Sequence, residues 1–135
     1  MKDRNEGKTP TARMLLGRRG EDVACGFLEG TGHRILRRNY RSGHLEIDII
    51  STDGIGVHFV EVKSRVAPVA VAPEENVTTL KQKKIANAAL RYLHGSKDPG
   101  VTPGMEVHFD IVAVTFKGGE ERVEWFPDAF IPMYV

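Results

Sequence analysis

The sequence holds one cysteine, Cys25, so it can form neither an intrachain disulfide nor a cysteine-rich zinc site. No apolar run approaches the roughly 20 residues of a membrane-spanning helix. The opening MKDRNEGKTP lacks the apolar core of a secretory signal, so a reducing, cytoplasmic location with no membrane partner is expected. Neither sign of charge dominates: 19 basic and 18 acidic residues leave +1, which excludes a uniformly basic coat of the histone kind. There is no P-loop or dinucleotide fingerprint, and hence no sign of ATP or NAD chemistry. Repeats and low-complexity tracts are also absent.

What remains is 135 residues, 41% hydrophobic and 27% charged, enough for one real core and too few for two. The expected organisation is a loose tail over 1–10 and a single domain over 11–135. The charge is unevenly spread. Residues 1–91 carry sixteen basic against eleven acidic side chains, and residues 92–135 three against seven. Such a chain can present a basic face to an anion on one side only.

Hydrophobic spacing predicts a helix from Thr11, with Leu16, Gly20, Ala24, Phe27 and Leu28 near one face and Gly30 and Gly32 ending it. Gly17 and Gly20 weaken a helix, so close packing or binding at the backbone is expected there. Strands are predicted over 33–40, 45–51 and 57–64. In the second, Leu45, Ile47 and Ile49 should face one way and Glu46, Asp48 and Ile50 the other. Asp53-Gly54 reads as the turn of an antiparallel hairpin. Residues 66–76, with Pro68 and Pro73, read as a surface loop. A second helix over 77–94, capped by Thr78 or Thr79, should bury Leu80, Ile85, Ala88, Ala89, Tyr92 and Leu93. A strand over 105–116, rich in β-branched residues, should be buried on both faces. A turn at 117–120 and a strand over 122–126 follow, and the apolar end DAFIPMYV should cover the core or a partner. The order α-β-β-β-α-β-β gives an α/β fold with a mixed sheet flanked by helices.

The hairpin carries the chemistry. With a four-residue loop at 53–56, Thr52 pairs with Val57, Asp48 lies opposite Glu61, and Glu46 lies opposite Lys63. Opposed residues share a face, with Cβ atoms roughly 4.5–5.5 Å apart. Three carboxylates and an ammonium would then converge, and like charges at that range repel. A divalent cation between Asp48 and Glu61 removes the cost, and hard oxygen donors suit Mg²⁺ or Mn²⁺. Lys63 beside it can orient or deprotonate a water. An E-x-K pair alone more often marks a solvated strand; the full D-x12-E-x-K set across one hairpin is far more specific.

These residues resemble the PD-(D/E)xK superfamily, with its restriction-endonuclease-like fold, and more closely its YraN family of small bacterial proteins. The resemblance rests on GRRGEDVACGFLEGTGHRILRRNYR (17–41), LEIDII (45–50), HFVEVKSR (58–65), VTTLKQKK (77–84) and HFDIVAV (108–114). One departure stands out: the family usually has Gly where this chain has Leu45. The resemblance implies a nuclease related to archaeal Holliday-junction resolvases. It makes Asp48 and Glu61 the metal carboxylates, Lys63 the residue that positions the water, Glu21 an additional acid near the metal, and Gln82 a polar support. Glu46 fits the pattern without an assigned role.

Beside such a site, Arg34, Arg37, Arg38 and Arg41 read as phosphate contacts. Lys81, Lys83 and Lys84 sit at a helix start, where the dipole disfavours cations; DNA contact and a plain solvated face explain this equally well. His33, His44, His58, His94 and His108 lack zinc-ligand spacing and read as structural or surface groups, with His44 nearest the site. Cys25 has no nucleophile motif, and Asp110, in a buried strand, needs a hydrogen-bond partner. The expected activity is metal-dependent hydrolysis of DNA phosphodiester bonds, with branched DNA as one substrate and a homodimer compatible with its two-fold symmetry. The alternatives are a non-catalytic nucleic-acid-binding module on the same fold, or an interaction protein working through its apolar C-terminal tail.

Overall fold

In the computed structural model, residues 9–69 and 77–131 are described. Most of the tail expected over 1–10, residues 70–76 of the expected loop and the final residues 132–135 lie outside them. Thr11 starts the first helix, α1 (Ala12–Gly30), its Oγ1 accepting the Met14 N–H at 3.1 Å. Gly32, at φ 98°, reverses the chain in a conformation that suits glycine, and the His33 N–H then bonds the Leu28 carbonyl at 2.9 Å. Three strands follow: β1 (Arg34–Ser42), β2 (Leu45–Thr52) and β3 (Gly56–Val66). After them come α2 (Thr79–Gly95), β4 (Glu106–Lys117) and β5 (Glu120–Phe126). The order is the expected one, and the five strands form a mixed sheet in the sequence β1-β2-β3-β4-β5. Only β3 and β4 run parallel, and α2 makes the crossover that a parallel pair requires.

The helices cover opposite faces. On one, Ala24, Cys25 and Leu28 of α1 pack on Ile49, Val60, Val112 and Val114. On the other, Ile85, Ala88, Ala89 and Tyr92 of α2 pack on Ile47, Ile50, Val57, Phe59 and Phe109. β4 is buried on both faces from Phe109 to Val114, as its composition predicts. Phe130 sits against Phe109, ring centroids 5.5 Å apart, so the start of the C-terminal segment covers the core.

Three expectations are corrected. Leu80 is 63% exposed and outside the α2 stripe; at about 100° per residue it lies some 140° around the helix from Ile85. Ile47 and Ile49 do not share a face, because Ile47 and Ile50 join one cluster and Ile49 the other. The β2 alternation therefore breaks at Asp48. Finally, neither Asp48 and Glu61 nor Glu46 and Lys63 are ladder partners. The β2–β3 ladder has the expected Thr52–Val57 register but ends at Ile49–Val60. Beyond that point the Asp48 side chain takes the place of a backbone acceptor: its Oδ2 accepts the Val62 N–H at 2.8 Å. Of Gly17 and Gly20, the second makes the close approach, against Ser64 of β3, while nothing lies within 4 Å of a Cβ placed on Gly17.

Candidate active site

Where β2 and β3 part, they leave a cleft of about 710 Å³ beside α1, floored by Asp48, Glu61 and Lys63. Strand alternation sets Glu61 and Lys63 on the same side of β3. Their side chains are 8% and 17% exposed, with Lys63 Nζ 3.6 Å from Glu61 Oε1. Lys81, on the first turn of α2, reaches down and bonds the same Glu61 oxygen. Glu21 of α1 and Glu46 of β2 line the cleft wall, and Arg13, Arg18 and Arg41 its rim.

The electrostatics follow from burial. Asp48 is raised to about 7, by desolvation first and the Glu61 carboxylate second, against the lowering effect of the Val62 N–H. Glu21 is also raised by burial, partly offset by Arg38. Burial lowers Lys63, and Lys81 adds to this, while Glu61 opposes it. Burial pulls Lys81 the same way, but its bond to Glu61 outweighs that and raises it. The cleft thus holds a carboxyl that resists ionisation and an amine that gives up its proton more readily than usual. Such paired perturbations are what acid–base and metal chemistry use.

The structure therefore brings together Glu21, Asp48, Glu61 and Lys63. Gln82 is turned elsewhere, its Nε2 donating to the Val77 carbonyl at 3.1 Å. The basic run of β1 is dispersed by strand alternation and by an irregularity between Ile35 and Arg37. Arg34 pairs with Asp98 at 3.6 Å, and Arg38 with Asp22 on α1 at 2.7 Å. Arg37 stacks over Tyr40 at 5.3 Å. Of this run, Arg41 reaches the cleft, where it lies 3.8 Å from Glu46. Lys83 and Lys84 are exposed on α2, and His44 is exposed at the β1–β2 turn. Leu45, where the family usually has Gly, packs against the α2 core. Sequence reasoning weighed Lys81 as a DNA contact or a solvated cation, not as a partner of Glu61, and passed over Arg13 and Arg18. A basic residue one helical turn before Glu21, on the same α1 face, would have pointed to Arg18.

At the far end of β3 a second group assembles that spacing along the chain did not reveal. His33, Asp53 and His58 each bring one ligand-type atom within 4.8 Å of the others. His58 Nδ1 donates to buried Asp110 at 2.6 Å, and Nε2 lies 3.3 Å from Asp53 Oδ2. Asp110 also accepts from Trp125 Nε1 at 3.2 Å and from the Asp128 N–H at 2.9 Å, which supplies the partners its burial demands. Cys25 is buried, and burial raises its thiol, so it is a poor nucleophile.

Comparison with known proteins agrees with the sequence resemblance. The profile of the uncharacterised protein family UPF0102 matches residues 20–114. A UPF0102 protein of Anaeromyxobacter dehalogenans is 42% identical over 120 residues, covering 87% of this chain and 85% of its own. One from Chlorobaculum parvum is 46% identical over 111 residues, 82% of this chain and 83% of its own. Among solved structures, that of Pyrococcus furiosus SfsA in complex with Ca²⁺ is similar over 84% of this chain and 62% of that one, at 16% identity and a TM-score of 0.40. Among the described residues, no helix is long and apolar enough to cross a membrane. The profile match, and relatives this similar over most of their length, place the chain in the UPF0102 family, the YraN family whose motifs it carries.

Proposed function

We propose that this protein is a metal-dependent nuclease that hydrolyses DNA phosphodiester bonds, with branched DNA as a candidate substrate. One observation carries the reading: Asp48, Glu61 and Lys63 meet in a single cleft whose rim is basic. The donor set suits a hard divalent cation. Asp48 and Glu61 offer carboxylate oxygens, and with Asp48 Oδ2 tied to the Val62 N–H, Oδ1 remains for a ligand. Burial first, and repulsion from Glu61 second, hold Asp48 up near 7, a cost that bound Mg²⁺ or Mn²⁺ would relieve. Glu21 lines the same cleft and its charge acts on Asp48, so it would join the ion directly or through water. The ion would supply Lewis acidity and a more acidic water.

The chain's own residues do the rest. Lys63, its pKa lowered by burial, can take a proton from the attacking water or hold that water in line. Arg13, Arg18 and Arg41 would hold the flanking phosphates. Lys81 neutralises Glu61 in the absence of metal and would have to release it on loading. That ion pair also favours a second reading. If Lys81 stays on Glu61, it stands in for the cation, and the protein is a non-catalytic nucleic-acid-binding module on the same fold.

The test is a Mn²⁺ titration by calorimetry combined with cleavage of linear, flapped and four-way DNA. Asp48→Ala or Glu61→Ala should lose both metal and turnover. Lys63→Ala should keep metal and lose turnover. A wild-type protein that binds no divalent ion at millimolar concentration and cuts none of these substrates removes the enzyme reading. Salt-dependent DNA binding without cleavage would support the second.

A further inference from the structure

We infer that His33, Asp53 and His58 form a second metal site, of the two-histidine, one-carboxylate kind, that takes Zn²⁺ or a similar transition ion rather than Mg²⁺. The site is independent of the proposed nuclease activity. It lies roughly 10 Å along β3 from Glu61, three strand residues away.

The placement of the donor atoms supports it. His58 Nδ1 lies 2.6 Å from the Asp110 carboxylate, which can only accept, so Nδ1 carries a proton and Nε2 is the nitrogen that presents a lone pair once its own proton leaves. Nε2 is 3.3 Å from Asp53 Oδ2, also an acceptor. A proton on Nε2, or a metal ion in its place, joins the two atoms. Bonds of about 2.0–2.1 Å at tetrahedral angles put ligand atoms about 3.3 Å apart, so this edge already has the dimension of a zinc site. His33 Nδ1 bonds Ser51 Oγ at 2.9 Å, which fixes the ring and leaves Nε2 as the nitrogen assigned to the ion. The His33 ring meets His58 edge-on, centroids 4.6 Å apart, and one of its nitrogens lies within 4.8 Å of the other two donor atoms.

The supporting shell is also in place. A metal-bound histidine usually donates its other N–H to a carboxylate or hydroxyl, as His58 does to Asp110 and His33 can to Ser51. Asp53 is anchored through Oδ1, which accepts the N–H groups of Ile55 and Gly56 at 2.9 and 2.8 Å, so Oδ2 is left for a ligand. Imidazole nitrogen is a poor ligand for Mg²⁺ and a good one for Zn²⁺, Co²⁺ and Ni²⁺. The Asp53 side chain is 36% exposed, so the ion can enter from solvent and keep a water. An ion there would clamp the end of α1, the β2–β3 turn and the start of β3.

The experiment titrates the full chain with Zn²⁺ by calorimetry, and with Co²⁺ by visible absorption, which reports coordination geometry. Wild type should bind one ion with histidine-type Co²⁺ bands and a raised Tm. Asp53→Asn keeps the Oδ1 acceptor for the turn, so it folds, and should bind at least about 10-fold more weakly. His33→Gln should do the same. Asp48→Asn, in the carboxylate cleft, should leave the Co²⁺ bands unchanged. If Zn²⁺ fails to bind, if Asp53→Asn binds as well as wild type, or if the bands disappear with Asp48→Asn instead, the inference is overturned, and His58 is a protonated imidazole clamped between two carboxylates.

Discussion

Replacing Gly20 with alanine tests how α1 is held against the sheet. In a free helix the change stabilises by up to about 1 kcal/mol. Here the new Cβ would fall on Ser64 Oγ and 2.8 Å from Ser64 Cβ. Carbon atoms prefer about 3.5–4.0 Å. The hydroxyl can rotate away, but Cβ is fixed to β3, so α1 must lift by most of an ångström. Overpacking costs about 1–3 kcal/mol, and a clash with a Cβ fixed to the sheet belongs in the upper part of that range, at about 2–3, which leaves a net loss of about 1–2 kcal/mol after the helix gain. For a chain of this size the melting temperature should fall by roughly 3–8 °C. The shift also moves Glu21, the next residue, away from Asp48, so metal-dependent cleavage should drop. Gly17→Ala on the same helix meets nothing within 4 Å and should be neutral or stabilising. The assay is urea denaturation of Gly20→Ala, Gly17→Ala, Ser64→Gly and the Gly20→Ala/Ser64→Gly double variant. The double variant should recover at least about 1 kcal/mol relative to the sum of the single changes. A neutral Gly20→Ala, or simple additivity with Ser64→Gly, would refute the close approach as the reason for this glycine.

Asp48 is raised from 3.8 to about 7, so folding favours its neutral form, and metal-free stability should fall as pH rises from about 4 to about 7. In EDTA, Asp48→Asn should be the more stable protein at pH 8, by at most about 4 kcal/mol at 1.36 per unit, with the gap shrinking toward pH 4; a pH-independent gap in denaturation midpoints would contradict this. Arg18→Ala and Arg41→Ala, at the cleft rim, should each reduce the slope of log K against log salt for DNA by about 1, while Arg34→Ala, paired with Asp98 elsewhere, should leave it unchanged in a fluorescence titration. Asp110→Ala strands three donors, from His58, Trp125 and Asp128, and should cost about 3–5 kcal/mol in chemical denaturation, since each unpaired buried group costs about 1–3.

Local rules were enough for the elements and for the hairpin at the heart of the site. The period of apolar residues placed both helices, because helix and strand spacings are fixed by backbone geometry. Asp53-Gly54 fixed the Thr52–Val57 register, since a tight turn leaves the strands little freedom to slip. Asp48, Glu61 and Lys63 could therefore be placed side by side from their positions in the chain. Tertiary structure decided what depends on contacts between distant elements. Lys81 became a site residue because the α2 crossover lays its first turn over Glu61. The arginine run lost its unity because each side chain faces whatever its side of β1 meets: Asp22 for Arg38, Tyr40 for Arg37, Asp98 for Arg34. His33 and His58 share no sequence spacing; they meet because β2 lies between β1 and β3 and sets the end of α1 over the start of β3. Spacing along a chain is a local quantity, whereas a ligand set is defined by distance in space, and only the packed sheet converts one into the other.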